Sequence, residues 1–369
     1  MNDRTRTLRP QTQTIDLAAL GWDSDFQAAF RRYRCPGQRP GRVARIDKGI
    51  ATVLTDTGAQ RASLAGRMLA TVARNPRTLP CTGDWVVVRT WPDDRVTIEA
   101  TLPRRTAVVR TGADRSTRAQ ILAANVDAVA VVEAVDPEPD LGRIERLLAL
   151  ATDSGARPLI LLTKADTVAP GVLRSLCDEV AYTAPDVPVY AVSAHTGDGL
   201  NELAPYLERG RTLGLLGASG VGKSTLVNTL AGATVMATRA LRADQRGRHT
   251  TTYRALVPLP SGGVILDTPG LRQIGMYDSS EGLRQVFADL EALAQRCRFT
   301  DCRHESEPEC AVQEALATGE LEPRRLTNWR KLRRELLWEK NRRRARMTAA
   351  ERAEARRVER VANPRYQRR

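Results

Sequence analysis

The 369-residue chain carries a formal net charge of +14, and at 42% hydrophobic but only 4% aromatic residues it can bury mainly aliphatic cores in two or three domains. No run of about 18 or more apolar residues occurs, which excludes a membrane-spanning helix. The first twenty residues hold no apolar segment of the secretory kind, so a cytoplasmic location is expected. Thiols stay reduced there; a cysteine cluster reads as metal-binding, and the scattered Cys35, Cys81 and Cys177 read as ordinary thiols.

Residues 1–38 are polar and rich in Arg and Pro, and read as a poorly ordered arm. Short β-like runs follow at 41–46, 49–54, 62–64, 85–90 and 96–102, separated by turn residues such as Asp47-Lys48-Gly49 and Thr82-Gly83-Asp84. That spacing fits an OB-type β-barrel over 39–103. From 104 to 278 the texture changes. Continuous apolar runs at 126–135 and 158–162 suit strands buried on both faces, and residues 141–153 between them have helical spacing. Further runs at 189–192 and 212–216 continue the alternation, which gives a central α/β domain with a mostly parallel sheet. Beyond residue 279 the chain reads as mainly helical: one amphipathic helix over 280–295, a Cys/His cluster, then a basic helical region from about Arg324 past Arg360. From Leu321 onward there are 18 Arg and Lys against 6 Glu, the electrostatic footprint of a polyanion binder.

The strongest motif is Gly217-Ala218-Ser219-Gly220-Val221-Gly222-Lys223-Ser224, which follows an apolar strand and opens a helix at Thr225. Its glycines let backbone N–H groups surround phosphates, and the helix N-terminus favours the anion. Lys223 reaches the β- and γ-phosphates, and the Ser224 hydroxyl suits Mg²⁺. Asp267-Thr268-Pro269-Gly270 follows a second apolar strand; the carboxylate can hold Mg²⁺ through water and the Gly270 N–H can meet the γ-phosphate. Between them, 246–252 sits where a mobile loop would cover that phosphate, with Thr251 favoured over Thr250 and Thr252 to complete the Mg²⁺ shell. Thr163-Lys164-Ala165-Asp166 also follows a strand. A carboxylate at Asp166 accepts both N1–H and N2–H of guanine, which adenine does not offer, and Lys164 would cover the ring. At Ser193-Ala194 a backbone N–H can meet guanine O6. Cys297, Cys302, His304 and Cys310 supply three thiols and an imidazole, the four-ligand set of a structural tetrahedral Zn²⁺. In the basic region, Trp329 and Trp338 either pack on the domain, the favoured reading, or stack on bases.

These residues resemble the ribosome small subunit-dependent GTPase A family, a group of circularly permuted GTPases. Ordinary GTPases place the phosphate loop first and the guanine loops last. Here the loops at 163–166 and 193–194 precede the phosphate loop at 217–224, the switch at 246–252 and Asp267 to Gly270. The resemblance extends to the barrel, with Gly83-Asp84-Trp85-Val86, and to the C-terminal metal cluster over 279–369. It implies a GTPase that binds GTP and GDP with Mg²⁺, carries one structural Zn²⁺, and binds the small ribosomal subunit and its rRNA. It further implies assistance in late subunit maturation, with hydrolysis stimulated by the subunit. A monomer without membrane attachment is expected.

Thr163 stands where many GTPases carry Asn, a replacement this family tolerates. Leu271 replaces the water-orienting Gln of Ras-like enzymes, and the resemblance offers His249 for that task; Lys223 is the other catalytic candidate. Because the second switch runs directly into the metal domain, a γ-phosphate-dependent motion there is expected to reach residues 280–320. Two alternatives stand beside this reading: an ATP-dependent nucleic-acid-binding P-loop enzyme, and a GTP-binding RNA module with little catalysis.

Overall fold

The computed structural model describes residues 14–33, 35–111, 119–236, 254–268, 275–276 and 279–362. The described residues of Met1–Val108, Ile121–Asp140 and Ser154–Arg272 form one compact unit, and those of Val109–Gln120, Leu141–Asp153 and Gln273–Arg369 form a second.

The first unit begins with a departure from the expected arm. Ser24–Phe30 is a helix, α1, because Trp22, Phe26 and Phe30 recur every four residues and make one aromatic face. Asp23 caps it, accepting the N–H groups of Asp25 and Phe26. The Arg105 guanidinium hydrogen-bonds that carboxylate and holds its pKa below the usual value. Phe26 and Phe30 are buried, and the Trp22 ring meets Trp85 edge-on at 4.8 Å between centroids.

Strands β1 (Gln38–Asp47), β2 (Ile50–Thr55), β3 (Gly58–Leu64), β4 (Trp85–Thr90) and β5 (Val96–Thr101) close into a barrel in the order β1-β2-β3-β5-β4. Asp47 pairs with Ile50 across Lys48 and Gly49, both at positive φ, the tight turn that matches strand twist. Helix α2 (Gly66–Arg74) follows β3. The barrel interior is aliphatic: Val43, Val53, Ala62, Val86, Val88 and Ile98. Arg42 is buried beside it. Its N–H groups donate to the carbonyls of Leu20, Gly83 and Asn125, and burial pulls its pKa down to about 10. Gly83 lies at φ +93, and a Cβ there would meet Ala124 O at 2.1 Å, so the barrel turn and the following domain fit only with glycine.

After β6 (Ala107–Thr111) and β7 (Ala119–Ala124) come β8 (Ala128–Ala134), helix α3 (Leu141–Asp153), β9 (Arg157–Thr163), helix α4 (Pro170–Thr183), β10 (Val189–Val192), β11 (Thr212–Gly217), helix α5 (Lys223–Ala231), β12 (Ala255–Pro258) and β13 (Val264–Asp267). The sheet order is β10-β9-β8-β11-β13-β12; every neighbouring pair is parallel except β12 with β13. All seven residues of β8 are buried, as the unbroken apolar run implied. The central strand β11 therefore delivers its C-terminal end between β8 and β13, where open α/β sheets bind ligands.

The second unit holds β14 (Gly275–Met276), which pairs with β6, and helices α6 (Ser280–Val286), α7 (Ala288–Gln295), α8 (Ala311–Ala317) and α9 (Pro323–Ala362). The run at 280–295 is two helices rather than one. Phe287 breaks the ladder at φ −111, ψ 37, where its ring is fully buried beneath the Arg325 guanidinium. Helix α3 belongs to this unit. Its buried Glu145 accepts from Arg324, Arg325 and Asn328, Arg146 pairs with Glu335 through two 2.8 Å bonds, and Asp153 accepts the Gly282 N–H. Burial raises the pKa of Glu145 against the pull of those partners. Trp329 is buried, with its Nε1–H donated to Glu291. Trp338, in contrast, is 57% exposed, so packing accounts for only one of the two tryptophans.

Candidate functional site

The turn after β11 bends sharply because glycine allows it: a Cβ on Gly217 would stand 2.4 Å from Val132 O, and Gly222 sits at φ +94. Lys223, the first residue of α5, is 6% exposed and donates to Gly217 O at 2.9 Å and Ala218 O at 2.7 Å. Burial pushes its ammonium below the ordinary value, with Asp267 and Glu133 pulling the other way. Asp267 ends β13 and is 1% exposed; burial raises its carboxyl to about 6 against the pull of Lys223 and Ser224. The Ser224 hydroxyl lies 3.4 Å from Asp267 Oδ2, while Oδ1 is buried and has no hydrogen-bond partner among the described residues. Thr268 secures the turn by donating to Leu215 O at 2.7 Å.

A second group of loops meets this one. The Thr163 hydroxyl, at the end of β9, lies 2.5 Å from Val221 O in the phosphate loop and 3.1 Å from Glu133 O. Lys164 follows at φ +59. The Ser193 hydroxyl donates to Asp166 Oδ1 at 2.6 Å and accepts from the N–H groups of His195 and Thr196. That bond holds the Asp166 pKa below the usual carboxylate value. Ser193 O accepts the Gly197 N–H, and the Ala194 N–H has no hydrogen-bond acceptor among the described residues. A carboxylate with a free edge and an unbonded amide thus stand on neighbouring loops, the donor–acceptor complement of a purine carrying a 6-oxo and a 2-amino group.

In the second unit, the ligand atoms of Cys297, Cys302, His304 and Cys310 all lie within 4.8 Å of one another. His304 Nδ1 is 3.5 Å from Sγ of both Cys297 and Cys310, and those two sulfurs are 3.8 Å apart. A tetrahedral zinc with bonds of about 2.3 Å has sulfur–sulfur edges of about 3.8 Å. His304 O accepts from Arg330, and the Glu307 carboxylate gathers the N–H groups of Arg303, Glu305 and Ser306, which pull its pKa down to about 2.

A family model described as RsgA GTPase matches residues 101–277. A relative from Streptomyces avermitilis named small ribosomal subunit biogenesis GTPase RsgA is 49% identical over 321 residues, covering 86% of this chain and 85% of that protein. The chain belongs to the RsgA GTPase family. A protein of the same name from Methanosarcina acetivorans is 39% identical over 319 residues, with 86% of this chain and 84% of its own length covered. Among solved structures, YjeQ from Thermotoga maritima is similar with a TM-score of 0.56 and 28% identity over 81% of this chain and 99% of that one. YloQ, described as a circularly permuted GTPase, is similar with a TM-score of 0.56 and 25% identity over 82% and 96%. As a member of the RsgA family the chain is a GTP hydrolase, and its barrel, permuted α/β domain and Cys/His-bearing helical region follow the fold read from the sequence.

Of the residues singled out for the RsgA-type site, 163–166, 193–194, 217–225 and Asp267 lie at the C-terminal ends of β9, β10, β11 and β13 or just after them, with 223–225 in the first turn of α5. His249, Thr251 and Gly270, with Thr250, Thr252 and Leu271, lie outside the described residues. Sequence reasoning missed three contacts: Thr163 to the phosphate loop, Thr268 to β11, and Thr229 of α5, whose hydroxyl donates to Ala194 O at 3.0 Å. The last two have no local signal, since each joins positions far apart in the chain. A cavity of about 490 Å³ beside Trp22, Arg42, Arg105 and Asp127 lies at the N-terminal ends of β8 and β11, the end of the sheet away from the phosphate loop.

Proposed function

We propose that the chain binds the small ribosomal subunit through its rRNA, assists late maturation of that subunit, and hydrolyses GTP to GDP and phosphate with stimulation by the subunit. The observation that carries the guanine part is the Thr163 hydroxyl bond to Val221 O, which ties the strand end leading to Asp166 to the phosphate loop, while Ser193 beside Ala194 is bonded to Asp166; this supports reading base selection and phosphate binding as one site. Adenine offers that edge no matching donors, so an ATP-dependent enzyme fits poorly. The names of the relatives support the subunit part.

Within this reading Asp166 accepts the guanine N1–H and 2-amino groups, the Ala194 N–H donates to O6, and Lys164 covers the ring. Lys223 exchanges two carbonyl acceptors for phosphate oxygens and stabilises the charge that grows on them. Asp267 Oδ1, buried and without a partner among the described residues, and the adjacent Ser224 hydroxyl suit Mg²⁺, held with Thr251 from the switch. When bound, Mg²⁺ neutralises charge on the β- and γ-phosphate oxygens. Gly270 serves the γ-phosphate, and His249 orients the attacking water, a task Leu271 has no polar group to perform. One Zn²⁺ on Cys297, Cys302, His304 and Cys310 has a structural role, since four protein ligands leave it no open position.

The basic helix α9 is the proposed rRNA contact. It carries exposed Arg333 and Arg334, and the exposed Trp338 ring lies 4.8 Å from the Arg342 guanidinium, an arrangement that suits phosphates beside an unstacked base. No described helix is long and apolar enough to cross a membrane. A cytoplasmic monomer is proposed. The test is sedimentation with purified small subunits across a salt series. Trp338→Ala should weaken binding roughly fivefold to hundredfold at each salt concentration, the scale of one stacked base, and Arg334→Ala should flatten the salt slope. Binding indifferent to both changes would remove α9 from the interface.

A further inference from the structure

Helix α5 carries more than the phosphate machinery at its first turn. Two turns further on, the Thr229 hydroxyl donates to Ala194 O at 3.0 Å, although the two residues are 35 positions apart. Apart from the Ser193 hydroxyl, which reaches Asp166, the hydrogen bonds of the rest of the 193–199 loop among the described residues run within it or to residues just after it. Ser193 N donates to Asp198 O, Gly197 N to Ser193 O, and the Ser193 hydroxyl takes two further N–H groups. Gly199 is pressed on Ala191, where a Cβ would stand 2.1 Å from the Ala191 carbonyl oxygen. Thr229 is therefore the outside anchor that the described residues supply to the carbonyl of Ala194 itself. The neighbouring residue Asn228 fixes the end of the same helix, bonding Val235 N, Met236 N and Met236 O. The helix end that bears Thr229 is thus held in place.

We infer that Thr229 is a positioning residue for guanine O6: by holding the Ala194 carbonyl it sets the Ala194 backbone and so the aim of the N–H on the same residue. This rests on the reading of 193–194 as the O6 loop. It also links base and phosphate recognition a second time, through α5, independently of the Thr163 bond to Val221.

The experiment measures dissociation constants of full-length wild type, Thr229→Val and Thr229→Ser for three diphosphates: GDP, IDP and the 2-aminopurine riboside analogue. GDP and IDP carry O6; the 2-aminopurine analogue lacks it. Valine keeps the shape of threonine and loses the hydroxyl. Thr229→Val should weaken GDP and IDP by an equal factor, roughly threefold to tenfold, the scale of one hydrogen bond, and leave the 2-aminopurine analogue unchanged. Thr229→Ser should restore the wild-type values. Equal weakening of all three ligands, or no change for any, would overturn the assignment. Wild type that binds GDP and the 2-aminopurine analogue equally would instead remove the O6 loop itself, and the assignment with it.

Discussion

The Thr163 hydroxyl has one proton and two carbonyls within reach, and the shorter distance, 2.5 Å, goes to Val221 in the phosphate loop. An asparagine, common at this place in GTPases, would span the same gap with an amide; threonine does so because β9 and the phosphate loop approach closely enough for a hydroxyl. Thr163→Ala should therefore weaken GTP and GDP alike, by about tenfold, which is one buried hydrogen bond together with the acceptor left unsatisfied. Equal affinities in a nucleotide titration would show that the bond carries no binding. His249 presents the opposite expectation. His249→Ala should lower kcat by about 100-fold, the scale of a positioned general base or water-orienting group, and leave nucleotide affinity nearly intact. Single-turnover phosphate release beside a binding titration separates the two effects, and unchanged turnover would take His249 out of the mechanism.

At the scale of elements, the second unit rests on two supports of different kinds. Glu145 on α3 meets Arg324, Arg325 and Asn328 with its side chain wholly buried. Glu145→Ala would take from Arg325 a buried carboxylate partner, Asp289 remaining beside it, and should cost about 3 kcal/mol in the denaturant unfolding of this unit, the low end for breaking a buried ion pair. A loss under about 1 kcal/mol would place the pair among weak surface bridges. The other support is the Cys/His cluster. One zinc per chain is expected, and chelation or Cys310→Ser should unfold the region between α7 and α9, seen as a loss of helical signal. A metal-free chain with unchanged helicity would sink the site.

Strands and helices were legible where local patterning decided them. The span read as helical at 141–153 is α3, and the strand at 189–192 is β10. Phe287 misled the reading because its spacing with Leu283 and Leu290 suits one continuous helix, whereas the ring's burial under Arg325 depends on a residue 38 positions later. The helix α1 escaped notice for a different reason. The span 1–38 reads as polar and rich in Arg and Pro, and the partner that buries the aromatic face of α1, Trp85, lies far along the chain. Among site residues, those within motifs could be named from spacing. Thr229 could not, since nothing near it in sequence announces the carbonyl it holds.

For the whole molecule, the permuted order has a consequence for charge as well as for topology. The loops proposed to read guanine come early, the proposed phosphate loop lies mid-chain, and the chain after Asp267 leads to the Cys/His cluster and α9, where fifteen Arg and Lys stand against five Glu. On the proposed function, the basic charge offered to rRNA thus follows in sequence the segment proposed to meet the γ-phosphate. The central claim is that this GTPase works on the small ribosomal subunit. Its most direct test is the rate of GTP hydrolysis by the full chain with and without purified small subunits, with ATP as the control. Slow hydrolysis alone, strong stimulation by the subunit and no response with ATP are expected. Hydrolysis of GTP at the same rate in both conditions, or equal use of ATP, would contradict it.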